Sequence, residues 1–339
     1  MIPRTRRSFL KSSACSTSAL SLGAPYLRAK TALLGQGGFQ YRVVPDWGVL
    51  GDDSPVNNCH GIVQDKEGHI ILFTDHVKNN IIVYDRSGKL VHKWGTDYPG
   101  AHGLAIVTEG DREVLFLTDL KRHIVFKTTL DGEVLDQWGW PEKSGKYEKA
   151  EQYRPSWTLH KENGEFFVLD GYGQDYIQHF DATGKQINHF GGQAGGISHW
   201  GPHGGIVDQG SLLIAMSDQH YLMRLDSTGK ELGRIPLPGG NPRQIHRDGD
   251  HYYVAHLADN WPADRNSRGF ITVLDKTFQA VANIGGTPPV YNDEGTLQKM
   301  RQDGDIFRHP HDLVVDKEGS IYVAQFASGK TYPLKLERV

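Results

Sequence analysis

The sequence predicts an all-β chain folded as a six-bladed β-propeller, and three observations predict it. A unit of about 40 to 70 residues recurs six times. Within each unit, short strands rich in Val, Ile, Tyr and Phe alternate with Asp/Gly turns, the mark of up-and-down antiparallel sheet. No helical run separates the units. One four-stranded sheet buries little alone, whereas radial stacking of six buries both faces of each.

The first 30 residues stand apart from the fold. Thr5-Arg6-Arg7-Ser8-Phe9-Leu10-Lys11 has the form of a twin-arginine export signal, followed by a weakly apolar stretch, Ala14 to Leu27, with small residues at Gly23, Ala24 and Ala29 for cleavage. Lipidation at Cys15 is the weaker reading, because Ser12-Ser13-Ala14 lacks a preceding leucine. The expectation is a precursor with a signal over 1–30 and a periplasmic or secreted propeller over 40–339, with no membrane span after processing. Only Cys59 would remain, so no internal disulfide is expected.

Gln40 to Leu50 precedes the first full unit and reads as a strand that completes the last one. The clearest unit runs from Cys59 to Gly95. Others run from His102 to Gly139, Trp157 to Gly191 and His203 to Pro236, and weaker ones begin at Asn241 and His311. The sixth runs out of chain after its third strand, so the Gln40–Leu50 segment is expected to close the ring. Three segments read as surface connections: Trp140 to Tyr153, Ala258 to Gly269 and Thr287 to Asp305. Long loops on a rigid scaffold are often binding or lid elements.

Composition agrees with a single large all-β domain: 339 residues, 40 Gly and 10% aromatic residues. A formal net charge of −3 offers no basic face, which argues against nucleic acid as a partner. A monomer acting on a small molecule, a peptide or a sugar is the expectation.

Histidine is plentiful, with 17 in the chain, and three recur at one point of the repeat: His102 in Ala-His-Gly-Leu, His203 in Pro-His-Gly-Gly and His311 in Pro-His-Asp-Leu. The innermost strand of a blade runs along the central channel, so its first residue lines one channel mouth. By this count the mouth positions are His60, His102, Ser156, His203, Pro242 and His311. Three alternate imidazoles make near-threefold geometry for a three-histidine metal site with open positions. His60 would add a fourth contact or stand behind the ligands. A histidine before Gly can also simply cap a strand.

These motifs resemble the peptidyl-α-hydroxyglycine α-amidating lyases (peptidylamidoglycolate lyases), six-bladed propellers of NHL-type repeats, over roughly Asn58 to Leu336. The resemblance implies zinc on His102, His203 and His311, and a catalytic tyrosine at Tyr172 in Asp170-Gly171-Tyr172. It also implies a structural calcium bound by Asp312 and by the carbonyls of Leu104 and Ile62. The glycines flanking Tyr172 suit an exposed role, although a packed aromatic is the plainer alternative. Where the family grips its substrate carboxylate with two arginines, this chain has Asp75 and Gln219, and His309 replaces a methionine near the last ligand. The secreted animal enzymes' disulfides are absent. Arg154 and Arg308 are candidates for a different anion-binding pair, or are ordinary strand-end residues.

The expected function is a metal-assisted lyase acting on a hydroxyl-bearing substrate. Two alternatives stay open: a non-catalytic NHL propeller that binds a protein or glycan, and another propeller enzyme such as a lactonase or sugar lyase. Carboxylate-rich mouth positions would favour the lactonase, and here they are imidazole-rich.

Overall fold

The computed structural model describes residues 33–339 apart from 194–199, 259, 264 and 266–267. The export signal over 1–30, with Arg6 and Arg7, lies outside the described residues. No helix among those described is long and apolar enough to cross a membrane.

The strands form six four-stranded antiparallel sheets. Inner strands are Cys59–Gln64 in blade 1, Ala101–Glu109 in blade 2 and Trp157–His160 in blade 3. They are Pro202–Asp208 in blade 4, Gly240–Asp248 in blade 5 and Pro310–Val315 in blade 6. The outer strand of blade 6 is Tyr41–Val44, which pairs antiparallel with Leu334–Arg338, Tyr41 facing Arg338 and Val44 facing Lys335. The ring is thus closed by the N-terminal strand, which occupies four of the residues from Gln40 to Leu50. The remainder turns, and it carries Trp47.

Side chains act locally to fix the turns. Asp85, Asp181, Asp226 and Asp275 each accept the backbone N–H groups two and four residues on, at 2.8–3.1 Å. A left-handed residue completes each turn, and it is glycine at 88, 184 and 229. In blade 5 Phe278 takes that place at φ 63°.

The blades lock to one another by a repeated aromatic contact. Trp94 Nε1 donates to Leu130 O (2.8 Å) and Trp138 Nε1 to Gly184 O (2.9 Å), each reaching the turn of the next blade. Trp47 Nε1 donates to Arg86 O (3.1 Å), which makes the same contact across the ring closure. Apolar cores fill the wedges between neighbouring blades. Ile71, Phe73, Leu115 and Leu117 join blades 1 and 2, and Ile271, Ile284, Leu313 and Val323 join blades 5 and 6. This packing fixes the radial position of every inner strand, and with it the channel mouth.

Candidate metal centre

At the mouth, the inner strands of blades 1, 2, 4, 5 and 6 each carry a register shift, at Cys59/Gly61, Ala101/Leu104, Pro202/Gly204, Pro242/Gln244 and Pro310/Asp312. A bulge re-aims the side chain it contains. The side chains so re-aimed include His60, His102, His203, Arg243 and His311. The fifth mouth residue is therefore Arg243 and not Pro242, whose carbonyl instead accepts the Ser217 hydroxyl (2.6 Å).

His102, His203 and His311 converge. Their ring centroids form a near-equilateral triangle with sides of 4.9, 4.8 and 4.8 Å. Each is held by one device: Nδ1–H donates to a backbone carbonyl of the next blade. His102 uses Ser156 O (2.8 Å), His203 uses Arg243 O (2.8 Å) and His311 uses His60 O (2.7 Å). That bond fixes the tautomer with the lone pair on Nε2, the arrangement usual in a metal-binding histidine. The glycines after His102 and His203 make this approach possible, since a Cβ on Gly103 or Gly204 would overlap the same Ser156 or Arg243 carbonyl.

Burial holds all three imidazoles neutral, pushing each well below the ordinary histidine range. Neutral imidazole is the form a metal requires. His102 Nε2 is buried with no hydrogen-bond partner among the described residues, a polar atom that a cation would satisfy. The donor set fits a borderline divalent ion such as zinc.

His60 adjoins the triangle, 4.8 Å from His102 and 4.7 Å from His311 by ring centroid. Its Nδ1 lies 3.5 Å from His311 Nε2. Ligand nitrogens of His60, His102 and His311 lie within 4.8 Å of one another. His203 falls outside that closer set, with its Nε2 3.0 Å from the Tyr172 hydroxyl.

Tyr172 stands on a loop built around Asp170. The Asp170 carboxylate accepts Arg154 N–H (2.6 Å), Gln174 N–H (2.7 Å) and the Tyr147 hydroxyl (2.8 Å), and burial pushes it up to about 7. Tyr147 belongs to the charged segment 140–153, which folds back under the loop. The flanking glycines are required by contact: a Cβ on Gly171 would overlap the Pro202 carbonyl, and one on Gly173 the Asp170 carboxylate. Arg243 Nη1 lies 3.4 Å from the Tyr172 hydroxyl, and the Arg154 guanidinium lies 5.9 Å from its ring centroid. Burial raises the phenol's pKa, and these two cations work against that rise.

Tyr172, His203, Arg243 and His311 line a cavity of 320 Å³ at this mouth, with Asp218, Trp261, Arg265 and Phe326. From the blade 5 insert, Trp261, Pro262 and Arg265 thus stand at this end, with Trp261 packed on His309 (4.8 Å) and Phe326 (5.3 Å).

Several candidates stand elsewhere. Asp75 accepts both the backbone and side-chain N–H groups of Asn58 (2.9 Å each), tying blade 1 internally. Gln219 ends the turn Ser217–Gln219, of which Ser217 and Asp218 line the cavity. Arg308 is not brought beside Arg154; its guanidinium donates to Ser328 O (3.3 Å). His309 Nδ1 bonds Phe326 O (3.1 Å) and supports the wall under Trp261. Farther down the channel, Ile62, Leu104 and Asp312 line a 350 Å³ cavity. Asp312 is buried and accepts the N–H groups of Ile62 and Leu313 (2.8 Å each), and burial raises it far above the ordinary carboxylate range. Asp218, Arg243, Trp261, Arg265 and Phe326 are the cavity residues that sequence reasoning missed.

No family model matches the chain. It is 25% identical over 257 residues to peptidyl-alpha-hydroxyglycine alpha-amidating lyase 1 of Drosophila melanogaster, covering 70% of this chain and 45% of that protein. It is 25% identical over 223 residues to the probable peptidyl-alpha-hydroxyglycine alpha-amidating lyase pgal-1 of Caenorhabditis elegans, covering 58% and 63%. The chain therefore spans about half to two thirds of these relatives. Among solved structures, a streptogramin B lyase superposes with a TM-score of 0.59 at 16% identity, over 91% of this chain and 99% of that one. Virginiamycin B lyase from Staphylococcus aureus gives 0.56 at 14% identity, over 89% and 100%. At such identity these structures speak to the fold alone. The chain is a six-bladed β-propeller with distant sequence similarity to the peptidyl-alpha-hydroxyglycine alpha-amidating lyases.

Proposed function

We propose that this protein is an exported metal-dependent lyase that cleaves a C–N bond next to a hydroxyl, on a substrate such as an N-acyl-α-hydroxyglycine. The observation that carries this reading is the threefold device at the mouth: three imidazoles with ring centroids 4.8–4.9 Å apart, each locked through Nδ1, with His203 Nε2 beside the Tyr172 hydroxyl. His102, His203 and His311 would hold the ion, zinc by resemblance, which supplies a Lewis acid that lowers the pKa of the substrate hydroxyl.

Tyr172, the expected base, would carry the proton between the substrate hydroxyl and the departing nitrogen. It hands that proton on as the C–N electron pair moves to the nitrogen, and Arg243 stabilises the phenolate. An amide and an aldehyde acid thus leave with protons balanced. Arg243 and Arg265, which line the cavity, supply positive charge for an anionic substrate group, whereas Asp75 and Gln219, at the family's arginine positions, do not line it. Asp312 with the Leu104 and Ile62 carbonyls is the proposed calcium site lower in the channel. Export rests on Arg6-Arg7. Replacing both with lysine should hold the precursor in the cytoplasm, and unchanged export would remove this part.

The test is metal analysis of purified mature protein together with aldehyde-acid release from N-acyl-α-hydroxyglycines. About one transition ion per chain and release dependent on it are expected. A metal-free protein with no release would leave a binding propeller instead.

A further inference from the structure

The mouth holds four imidazoles where the lyase reading needs three. A ligated ion stands about 2.1 Å from an imidazole nitrogen, hence about 3.2 Å from the ring centroid. Four ligands at tetrahedral angles would then place all six pairs of centroids about 5.2 Å apart. On an octahedron, adjacent ligands fall about 4.5 Å apart and opposite ones about 6.4 Å.

The observed arrangement is five near pairs and one far pair. His60–His102, His60–His311, His102–His203, His102–His311 and His203–His311 measure 4.8, 4.7, 4.9, 4.8 and 4.8 Å. His60 and His203, on opposite sides of the shared His102–His311 edge, make no ring contact with each other among the described residues. A tetrahedron has no far pair. Four corners of an octahedron with two adjacent corners open have one far pair, and the ring centroids follow this pattern; the ligand nitrogens of His60, His102 and His311, within 4.8 Å of one another, would draw in on an ion.

His60 is also placed to bind. It is buried, it packs on Phe326 (5.1 Å), and its Nδ1 is directed at His311 Nε2 rather than tied to a carbonyl as the other three are. With His311 Nδ1–H given to His60 O, the bond between the two rings must use a proton on His60 Nδ1. Moving that proton to Nε2, a neutral tautomer change, turns a second lone pair toward the cluster.

We propose that His60, through Nδ1, is a fourth ligand, and that the site takes a six-coordinate first-row ion, iron(II), cobalt(II) or nickel(II), in preference to tetrahedral zinc. Imidazole donors suit these ions, and four imidazoles on tetrahedral zinc would leave no open position. The proposal rests on the metal-dependent reading above.

Cobalt(II) loaded into chelator-stripped protein tests it, read by X-ray absorption and visible spectroscopy. Four imidazoles per cobalt and the weak visible bands of six-coordination are expected. His60→Ala should bring the count to three and weaken cobalt binding at least about tenfold. Three imidazoles with intense four-coordinate bands in the unmodified protein would overturn the proposal while leaving the three-histidine site standing. Failure to bind cobalt at all would remove the metal reading and this proposal together. The wild-type count decides the matter even if the variant does not fold.

Discussion

Alternate blades meet the channel mouth with different tasks, on a backbone that bulges in every blade but the third. Blades 2, 4 and 6 present His102, His203 and His311, whose side chains face the centre. Blades 3, 5 and 1 present Ser156, Arg243 and His60, whose backbone carbonyls receive the three Nδ1–H groups. The side chains of the first set would supply three lone pairs and the carbonyls of the second aim them, with His60 the one member of the second set proposed to add a ligand of its own. A sixfold scaffold thus yields a threefold site, because the strand that carries a ligand is next to a strand that orients it. Side chains on the orienting blades are free to differ, and they do: a hydroxyl, a guanidinium and an imidazole.

The largest expected effect breaks the presenting set. His102→Ala, His203→Ala or His311→Ala should each lower transition-metal affinity more than about 100-fold, beyond the usual range for loss of an outer support. Competition titration against a chelator checks this. Equal losses across the three would show that they act as one site, while one silent member would end the threefold reading. Tyr172→Phe comes next. It should leave metal content intact and cost about 10²–10⁴ in turnover, the range of a lost proton-transfer group. Loss of the ion in this variant would make Tyr172 a structural residue.

The aiming set is tested more gently by Gly103→Ala. A Cβ there overlaps the Ser156 carbonyl, so the His102 ring must turn or the blades must part. Metal affinity should fall about 10–100-fold, as for other outer-support changes, with His102 itself untouched. Unchanged affinity would show that the carbonyl contact does not set the ligand's direction.

Much of this was legible in the sequence, and the reason is locality. The Asp turns use bonds to amides two and four residues on, so the blade pattern is written in short windows. His102, His203 and His311 share one repeat position, so closing the ring carries them to one level. Gly-Tyr-Gly marked Tyr172, and the glycines prove to serve contacts with Pro202 and Asp170. What was not legible depends on longer paths. Arg243 was passed over by one residue although Pro242-Arg243 aligns with Pro202-His203 and Pro310-His311, because the weak fifth unit carries no histidine to mark the position, and the bulge is the same in all three blades. That Trp261 and Arg265 line the mouth follows from long-range contacts, Trp261 packing on His309 and Phe326 of blade 6. Arg154 and Arg308 looked alike in sequence, yet one stacks near Tyr172 and the other binds Ser328.

The smallest expected effect is the sharpest check on the division between the two sets. Ser156 gives His102 its backbone carbonyl, which also accepts the Thr118 hydroxyl (3.2 Å). Its own Oγ does something else: it lies 3.1 Å from Leu169 O and 3.0 Å from Pro202 O, and accepts Gly171 N–H at 3.4 Å. Ser156→Ala removes only these side-chain bonds. Leu169 O keeps the Ser156 backbone N–H (2.7 Å), so the strand end stays paired. The cost should be about 1 kcal/mol, one net buried hydrogen bond, seen as a fall of about 1–2 °C in Tm for a propeller of this size. Metal affinity should not change, because the carbonyl that aims His102 is still present. If Ser156→Ala instead lost the ion as His102→Ala does, the orienting blades would be acting through their side chains, and the backbone account of the threefold site would fail.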